Sequence, residues 1–452
     1  MNTLTLIVFI SITIIAYFAG HRNLVAPWFL MCLAFLAAYI IVLLNLKNWD
    51  VQMNGKFLLY VCTALFSFGL SSIFFREKVP ENAKTVTDVK SIIVERERSK
   101  YPVNALLVLS FICSMGYVYR LLTSVPSDLS FGAKIKAVYN NVVANDYTPG
   151  IIFNQMLEIT FAIGYLNLYR LYIKIFTPGD KVSAIKLVIP IVLFLFTAMV
   201  SSDRNIFIRF AFYTIVLWAL FYMSVCKNKK VNLRIAAIAV VMLGLAAGVF
   251  FALGAAKQYN SSFFKQISNY AGSGVYDFNL WIADYKGEKL YGQATFLNMI
   301  DSLGTILKPF GIELDGVMSR FDEFISFTST SGYKYNSNIY TDFKPYVEDF
   351  GYFGVILFPF IKGVIFHWLF KKVTTKKIGG FWLIYCMLIY GVIFSPILEQ
   401  FFRRFHLGFI YEFFWLAFLY LVCFKRKSYG RVKKSVNEIM ELRKLTAGRN
   451  YE

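Results

Sequence analysis

Arg403 and Arg404 lie side by side in a short polar stretch between two apolar runs, and Arg204 lies in a second stretch of this kind. Cations held next to apolar segments predict a bound anion. A guanidinium suits phosphate because its planar fork forms paired hydrogen bonds and stays charged. We therefore predict that these three arginines bind a lipid phosphate or diphosphate. The alternatives are arginines that extend toward water or that pair with Glu399 or Asp203.

A dense patch of polar and aromatic residues occupies positions 335–352. Aromatic rings can pack against the faces of sugars, while a few well-placed polar groups fix the orientation of a ligand. Asn338, Tyr340 and Asp342 are therefore the predicted sugar-binding residues.

The carboxylates at the end of this patch are candidates to accept a proton from a sugar hydroxyl. The order of preference is Asp349, Glu348, Asp342 and then His406, which is the one histidine expected on the same side of the membrane. Pro345 suits the first turn of a helix, so Glu348 and Asp349 could equally be charges that stabilise a helix N-terminus.

Some ionisable residues lie deeper inside the apolar runs: Glu158, Arg209, Lys362 and Glu412. Such groups are costly in a bilayer and usually face a partner or a wet cavity. Glu158 and Arg209 could pair with each other, and Lys362 could extend toward the membrane surface. Contacts between helices are the alternative to a functional role for each of them.

Patterns typical of metal and cofactor sites are missing from the sequence. It contains no phosphate-binding Gly-x-x-x-x-Gly-Lys and no His-Glu-x-x-His. All six cysteines fall inside or at the ends of apolar runs, which argues against a disulfide framework. We predict no metal and no cofactor.

Apolar runs of membrane-spanning length recur along the whole chain. The composition is 57% hydrophobic and only 16% charged, with a mean hydropathy of +0.55. A helix of about 20 residues crosses about 30 Å of hydrocarbon, and continuous rather than alternating apolar runs favour helices over a barrel. About eleven spans are predicted, at 4–20, 24–44, 56–75, 103–120, 150–173, 184–200, 206–226, 235–255, 346–370, 380–398 and 406–424.

The net charge of +20 lies mainly in alternate connecting segments and in the tail. This distribution follows the positive-inside rule and does not indicate a nucleic-acid-binding domain. We therefore expect the N-terminus on the outer side of the membrane and the C-terminus in the cytoplasm.

The predicted organisation has four parts. Spans one to eight occupy 1–255, a large loop on the outer side 256–345, spans nine to eleven 346–424, and a basic cytoplasmic tail 425–452. The expected fold is an all-α polytopic membrane protein whose large loop contains short interfacial helices.

Two short helices are predicted outside the spans. Asn298–Leu307 has amphipathic spacing, which is typical of a helix at the membrane surface. Another is expected near Phe131–Val143, and the charged segment 76–102 is expected to form a solvated helix.

The segment that ends the large loop resembles the bacterial oligosaccharide repeat-unit polymerases, the Wzy-type O-antigen polymerases. Residues 338–343 (Asn-Ile-Tyr-Thr-Asp-Phe) are similar to that family's Asn-x-Tyr-Thr-x-Phe segment, and 349–354 begin with its Asp-Phe-Gly. Residues 291–296 (Tyr-Gly-Gln-Ala-Thr-Phe) look like a second element of the loop. Ser202-Asp203-Arg204 looks like the family's Ser-Gly-Arg turn, with Asp in place of Gly.

This resemblance implies a GT-C-like, polytopic glycosyltransferase on the periplasmic face of a bacterial inner membrane, so that the N-terminus and the large loop 256–345 would be periplasmic. We expect a metal-independent reaction because no acidic metal site stands out in the sequence. Both substrates would be oligosaccharides on undecaprenyl diphosphate, and the growing chain would move onto the non-reducing end of an incoming repeat unit. The expected partners are these lipid-linked oligosaccharides and membrane lipids, with a chain-length regulator as a further candidate and no nucleic acid. The sequence does not identify the sugars.

Three other functions are compatible with parts of the pattern. A ligase that transfers a finished glycan from the same carrier shares the loop and the cations. A polysaccharide flippase or transporter would show ionisable residues along many spans and related halves, but we find no internal repeat. A non-catalytic scaffold would leave the polar, aromatic loop without a purpose.

Overall fold

The computed structural model describes residues 1–75, 101–144, 147–177, 179–201, 204–225, 234–242, 244, 248, 263–287, 289–312, 323–375 and 378–424. Within these ranges the chain is mostly helical. The helices before the large loop are α1 Asn2–Ala19, α2 Pro27–Leu44, α3 Gly55–Leu70, α4 Val103–Leu122, α5 Phe131–Ala144, α6 Ile151–Phe176, α7 Ala184–Val200 and α8 Arg204–Val225. The later ones are α9 Phe263–Ala271, α10 Ser273–Asp284, α11 Leu297–Leu307, α12 Phe343–Phe350, α13 Tyr352–Thr375, α14 Gly380–Leu388, α15 Tyr390–Ile393 and α16 Leu407–Cys423.

Seven helices of the described part are long and apolar enough to cross a membrane: α1, α2, α3 with its 3₁₀ extension, α4, α6, α8 and α13. Shorter apolar helices occupy Ala184–Val200, Gly380–Ile393 and Leu407–Cys423. Each of these ten overlaps a predicted span. Most of the span predicted at 235–255 lies outside the described residues, so the count of eleven stays a prediction.

The outer faces of these helices carry large apolar side chains. On α1, Ile7 and Ile14 are each about half exposed, although water would oppose such exposure. They lie seven residues apart and therefore share one face of the helix. An apolar face of this length is suited to lipid, as expected for a multi-pass membrane protein.

The helices α3 and α13 pack closely through small residues. A Cβ atom added at Gly363 would lie 2.5 Å from the carbonyl oxygen of Phe68. The Ser67 hydroxyl donates to the carbonyl of Ile356 at 2.5 Å, and the Ser71 hydroxyl bonds His367 Nδ1 at 2.8 Å. Small residues and hydrogen bonds of this kind hold membrane helices together.

Helices α9, α10, α11 and α12 pack at one end of the bundle, which we call the loop end. The backbone N–H of Asn54, beside the start of α3, donates to Asn279 of α10 at 2.9 Å. The helices predicted at Phe131–Val143 and Asn298–Leu307 are confirmed as α5 and α11. Their position at a membrane surface stays a prediction, and 76–100 of the predicted charged helix lie outside the described residues.

A two-stranded antiparallel sheet was not predicted. Strand β1 (Ile325–Thr328) pairs with β2 (Lys334–Ser337), with Phe327 opposite Tyr335. The two rings are 4.9 Å apart and nearly parallel, as is common for cross-strand aromatic pairs. Four-residue strands give too short an alternation to be recognised in sequence, and this hairpin is the exception to the all-α prediction.

Candidate functional site at the loop end

The turn 399–406 is organised by the carboxylate of Glu399. Its Oε1 accepts the backbone N–H groups of Phe401 and Phe402, each at 2.9 Å, and the Tyr346 hydroxyl at 3.1 Å. Its Oε2 accepts the backbone N–H of Arg403 at 2.6 Å. A fully used, buried carboxylate therefore fixes the backbone from which the two adjacent arginines project.

Arg403 connects this turn to the segment 290–296. Its Nε donates to the carbonyl of Ala294 at 2.9 Å. Asn298 at the start of α11 donates to the backbone carbonyl of Arg403 at 2.6 Å. Arg403 is only half buried, so the rest of its guanidinium remains near the surface of the loop end.

Asp349 is fully buried and binds the same segment from the other side. Its Oδ1 accepts the backbone N–H of Ala294 at 3.0 Å, and its Oδ2 accepts that of Thr295 at 2.7 Å. Asp349 and Arg403 therefore meet at Ala294. Two residues predicted from distant parts of the sequence, one catalytic and one phosphate-binding, are neighbours in space, but the carboxylate of Asp349 is occupied by backbone donors.

Glu348 forms an ion pair with Lys344 at 2.8 Å, one turn earlier on α12. The ammonium of Lys344 also lies 4.5 Å from the centre of the Tyr340 ring. Tyr340 is buried, and its hydroxyl donates to the carbonyl of Glu323 at 2.9 Å. The predicted site residues Glu348 and Tyr340 thus both have partners within the protein.

Asp342 is also buried and paired. It accepts a hydrogen bond from Lys362 of α13 at 2.9 Å, and both side chains have 0% exposure. Lys362 further donates to Ser395 at 2.9 Å. Lys362 does not extend toward the membrane surface, because this buried carboxylate holds it. Burial raises the pKa of Asp342 to about 6, although Lys362 opposes the shift.

Asn338 differs from the other two predicted sugar-binding residues. Its side chain is half buried, and it forms no hydrogen bond with any other residue that the structure describes. Among the three predicted sugar-binding residues, Asn338 can therefore bind a ligand through its amide without breaking a hydrogen bond to a described residue.

Arg404 points away from the loop and into the helices. Its Nη2 donates to Glu412 Oε2 of α16 at 3.0 Å, and Arg209 Nη1 of α8 lies 3.7 Å from the same oxygen. Its guanidinium also lies 4.6 Å from the centre of the Phe409 ring. The sequence placed Glu412 and Arg209 inside spans, but their convergence with Arg404 depends on helix packing and was missed.

Glu158 of α6 completes what we call the charge cluster, which consists of Glu158, Arg209, Arg404 and Glu412. Its carboxylate interacts electrostatically with the other three. The predicted pairing of Glu158 with Arg209 therefore becomes a group of two arginines and two glutamates from three helices and one turn. Arg404 and Glu412 are 6% and 3% exposed, so water screens this group poorly.

His406 caps the N-terminus of α16 beside the charge cluster. Its Nδ1 accepts the backbone N–H of Phe409 at 3.4 Å, while part of the side chain stays exposed. Exclusion of water from part of the ring, together with Arg404 and Arg209, lowers the pKa of His406 to about 4. The imidazole is therefore neutral near pH 7 and a weak proton acceptor.

Arg204 is the first residue of α8, and its side chain lies outside the described part of the chain, as do Ser202 and Asp203. Its assignment to phosphate binding stays a prediction. Arg209, five residues further along α8, does contact the cluster, through Glu412.

A cavity of about 1060 Å³ lies away from this site. It is bordered by the end of α1, the start of α2, and parts of α3, α8, α13 and α14, and none of the predicted site residues lines it. Within the described residues, no group of three His, Cys, Asp or Glu side chains could hold a metal ion. The charge cluster, together with the segment 290–296 that Arg403 and Asp349 contact, is therefore the arrangement best suited to chemistry.

Comparisons with protein-family models, curated proteins and solved structures find no match to this chain. The functional inference consequently rests on the residues and contacts of the chain itself.

Proposed function

We propose that the chain is a polymerase of surface polysaccharide that joins oligosaccharide repeat units carried on undecaprenyl diphosphate. The observation that carries this proposal is the convergence of Arg404 and Arg209 on one oxygen of Glu412, at distances of 3.0 and 3.7 Å. The loop end would face the periplasm of a bacterial inner membrane, as the charge distribution of the sequence predicts.

The cluster is suited to a leaving diphosphate because it retains donor capacity. A guanidinium has five N–H donors, and the Nε of Arg404 donates to no group among the described residues. Buried cations of fixed position stabilise negative charge that develops in a transition state, because they need no reorganisation. The diphosphate would bind between Arg404 and Arg209, with Arg403 at the surface.

The acceptor sugar would lie between this cluster and the end of the large loop. Asn338 provides an amide for a sugar hydroxyl. Tyr340, Asp342 and Asp349 would position the loop, since the protein already uses their polar groups internally. In the transfer, an acceptor hydroxyl oxygen attacks the anomeric carbon of the donor, and the electron pair of the broken bond leaves with the diphosphate.

The test uses purified protein in liposomes with one defined lipid-linked repeat unit and no energy source. Wild-type protein should produce a ladder of longer chains. Arg404→Lys keeps a charge but loses the planar fork, and we expect about a 100-fold or greater loss of turnover, the scale of losing one transition-state donor. Arg120→Lys is the matched control, because Arg120 lies in the last turn of α4 and its guanidinium packs over Tyr147 and Phe153.

The following outcomes would contradict the proposal. Wild-type protein that forms no glycosidic bond in this assay would exclude polymerisation. Folded Arg404→Lys protein with unchanged elongation would remove the cluster from the chemistry. Transfer to a second acceptor without elongation would identify a ligase instead, and movement of the lipid across the bilayer without bond formation would identify a flippase.

A further inference from the structure

Glu158 occupies an unusual place beside the charge cluster. A Cβ atom added at Gly408 would lie 3.2 Å from Glu158 Oε1 and 3.2 Å from His406 Nδ1. The carboxylate therefore borders the backbone of Gly408 next to a partly exposed histidine. A side chain at position 408 would crowd both groups.

Each of the other carboxylates of the site has at least one hydrogen-bond or ion-pair partner. Asp349 accepts two backbone N–H groups, Glu348 pairs with Lys344, and Glu412 accepts from Arg404. Asp342 pairs with Lys362, and Glu399 accepts backbone N–H groups of the turn 399–406. Glu158, by contrast, forms no hydrogen bond and no ion pair within 4 Å among the described residues, and it is only half buried.

We propose that Glu158 is the general base that accepts the proton of the acceptor hydroxyl. This inference rests on the proposed function and assigns to a helix of the bundle the role that the sequence favoured for Asp349. It follows from geometry, since Glu158 is the site carboxylate that receives no hydrogen bond from the described residues, and it interacts with the two arginines expected to hold the leaving group.

The glycosyl transfer needs no further reactant. The hydroxyl oxygen forms a bond to the anomeric carbon, and the bond from that carbon to the diphosphate breaks. The hydroxyl proton moves to a carboxylate oxygen of Glu158, and from there to solvent. Arg404 and Arg209 balance the charge on the departing diphosphate, while neutral His406 supplies a polar edge to the site.

The experiment compares Glu158→Gln, Glu158→Asp and Glu158→Ala in the liposome assay. Loss of a general base costs about 100-fold to 10,000-fold in rate. We expect a loss of this size in kcat for Glu158→Gln with little change in KM, and a smaller loss for Glu158→Asp. Added formate, a small carboxylate, should partly restore elongation by Glu158→Ala. Asp128→Asn is the matched control, because Asp128 is an exposed carboxylate between α4 and α5.

Three results would overturn the proposal. They are a wild-type kcat for Glu158→Gln, an effect confined to KM, and a loss in Glu158→Ala that formate does not restore while unfolding temperature is unchanged. Each requires that wild-type protein elongates chains. If it does not, the proposed function fails first, so the two failures are distinguishable.

Discussion

At the scale of single residues, the loop end separates groups that stabilise the fold from groups that remain able to react. Two backbone N–H groups bind the two oxygens of Asp349, and Lys362 binds Oδ2 of Asp342. Glu158 and Asn338 have no such partners in the described part of the chain. A carboxylate that is already bonded must lose those bonds before it can act on a substrate, and that requirement favours the unbonded groups.

Asp349→Asn tests this separation. An amide nitrogen would face one of the two backbone N–H donors, so one hydrogen bond is lost and a buried donor is left unpaired. We expect the free energy of unfolding to fall by about 1–3 kcal/mol, with faster proteolysis near 290–296. Asp284→Asn, at an exposed carboxylate of the same loop, should change neither property.

Thermal unfolding and limited proteolysis measure the effect of Asp349→Asn. A variant that unfolds at the wild-type temperature but no longer elongates chains would instead return Asp349 to the catalytic role that the sequence suggested.

At the scale of elements, the hairpin depends on helix α10. The Tyr335 hydroxyl of β2 donates to Asp277 Oδ1 at 2.5 Å, and Asp277 is fully buried. At the tip of the hairpin, Thr330 donates its backbone N–H and its hydroxyl to the Asp50 carboxylate, each at 2.6 Å. Two carboxylates from different parts of the chain thus hold the sheet against the bundle.

The first of these carboxylates makes stability depend on pH. Burial raises the pKa of Asp277 from 3.8 to about 7, although hydrogen bonds from Ser337, Tyr335 and Ile339 oppose the shift. The folded state retains the proton of Asp277 more strongly than the unfolded state does. The contribution of protonated Asp277 to the free energy of unfolding is therefore complete below about pH 4. It declines as pH rises toward 7, by up to about 4 kcal/mol.

Asp277→Asn should remove this decline, because the amide keeps an oxygen for Tyr335 but cannot ionise. We expect a flatter profile of unfolding temperature between pH 4 and 7, and a higher unfolding temperature than wild type at pH 8. Equal slopes for the two proteins would show that Asp277 does not titrate in this range.

At the scale of the whole molecule, membrane orientation remains to be measured. Ser130, before α5, belongs to a predicted periplasmic loop, whereas Ser183, before α7, belongs to a predicted cytoplasmic turn. Both side chains are exposed, so they form a matched pair.

In intact cells with a permeabilised outer membrane, a membrane-impermeant thiol reagent should label Ser130→Cys. It should label Ser183→Cys only after the inner membrane is opened, with the unmodified chain as the control for native cysteines. The reverse pattern would place the loop end in the cytosol and remove the basis for a periplasmic reaction.

The helices were predictable because each apolar run is a local signal, and ten predicted spans overlap apolar helices of the described chain. The pairings were not. Lys362 with Asp342, and Arg404 with Glu412 and Arg209, are set by which helix faces meet. A single sequence does not carry that information. The catalytic preference for Asp349 came from its position in a motif, and nothing local to it indicates that Ala294 and Thr295 occupy its oxygens.

The contact between α3 and α13 also constrains how the molecule can move. A transporter that works by alternating access rocks one half of its helices against the other. Here α3 belongs to the first half and α13 to the second, and Gly363 brings their backbones too close for one to slide past the other without repacking. A rocking motion about the middle of the chain would have to separate this pair, so the bundle is better suited to a stationary frame around a reaction than to a two-state carrier.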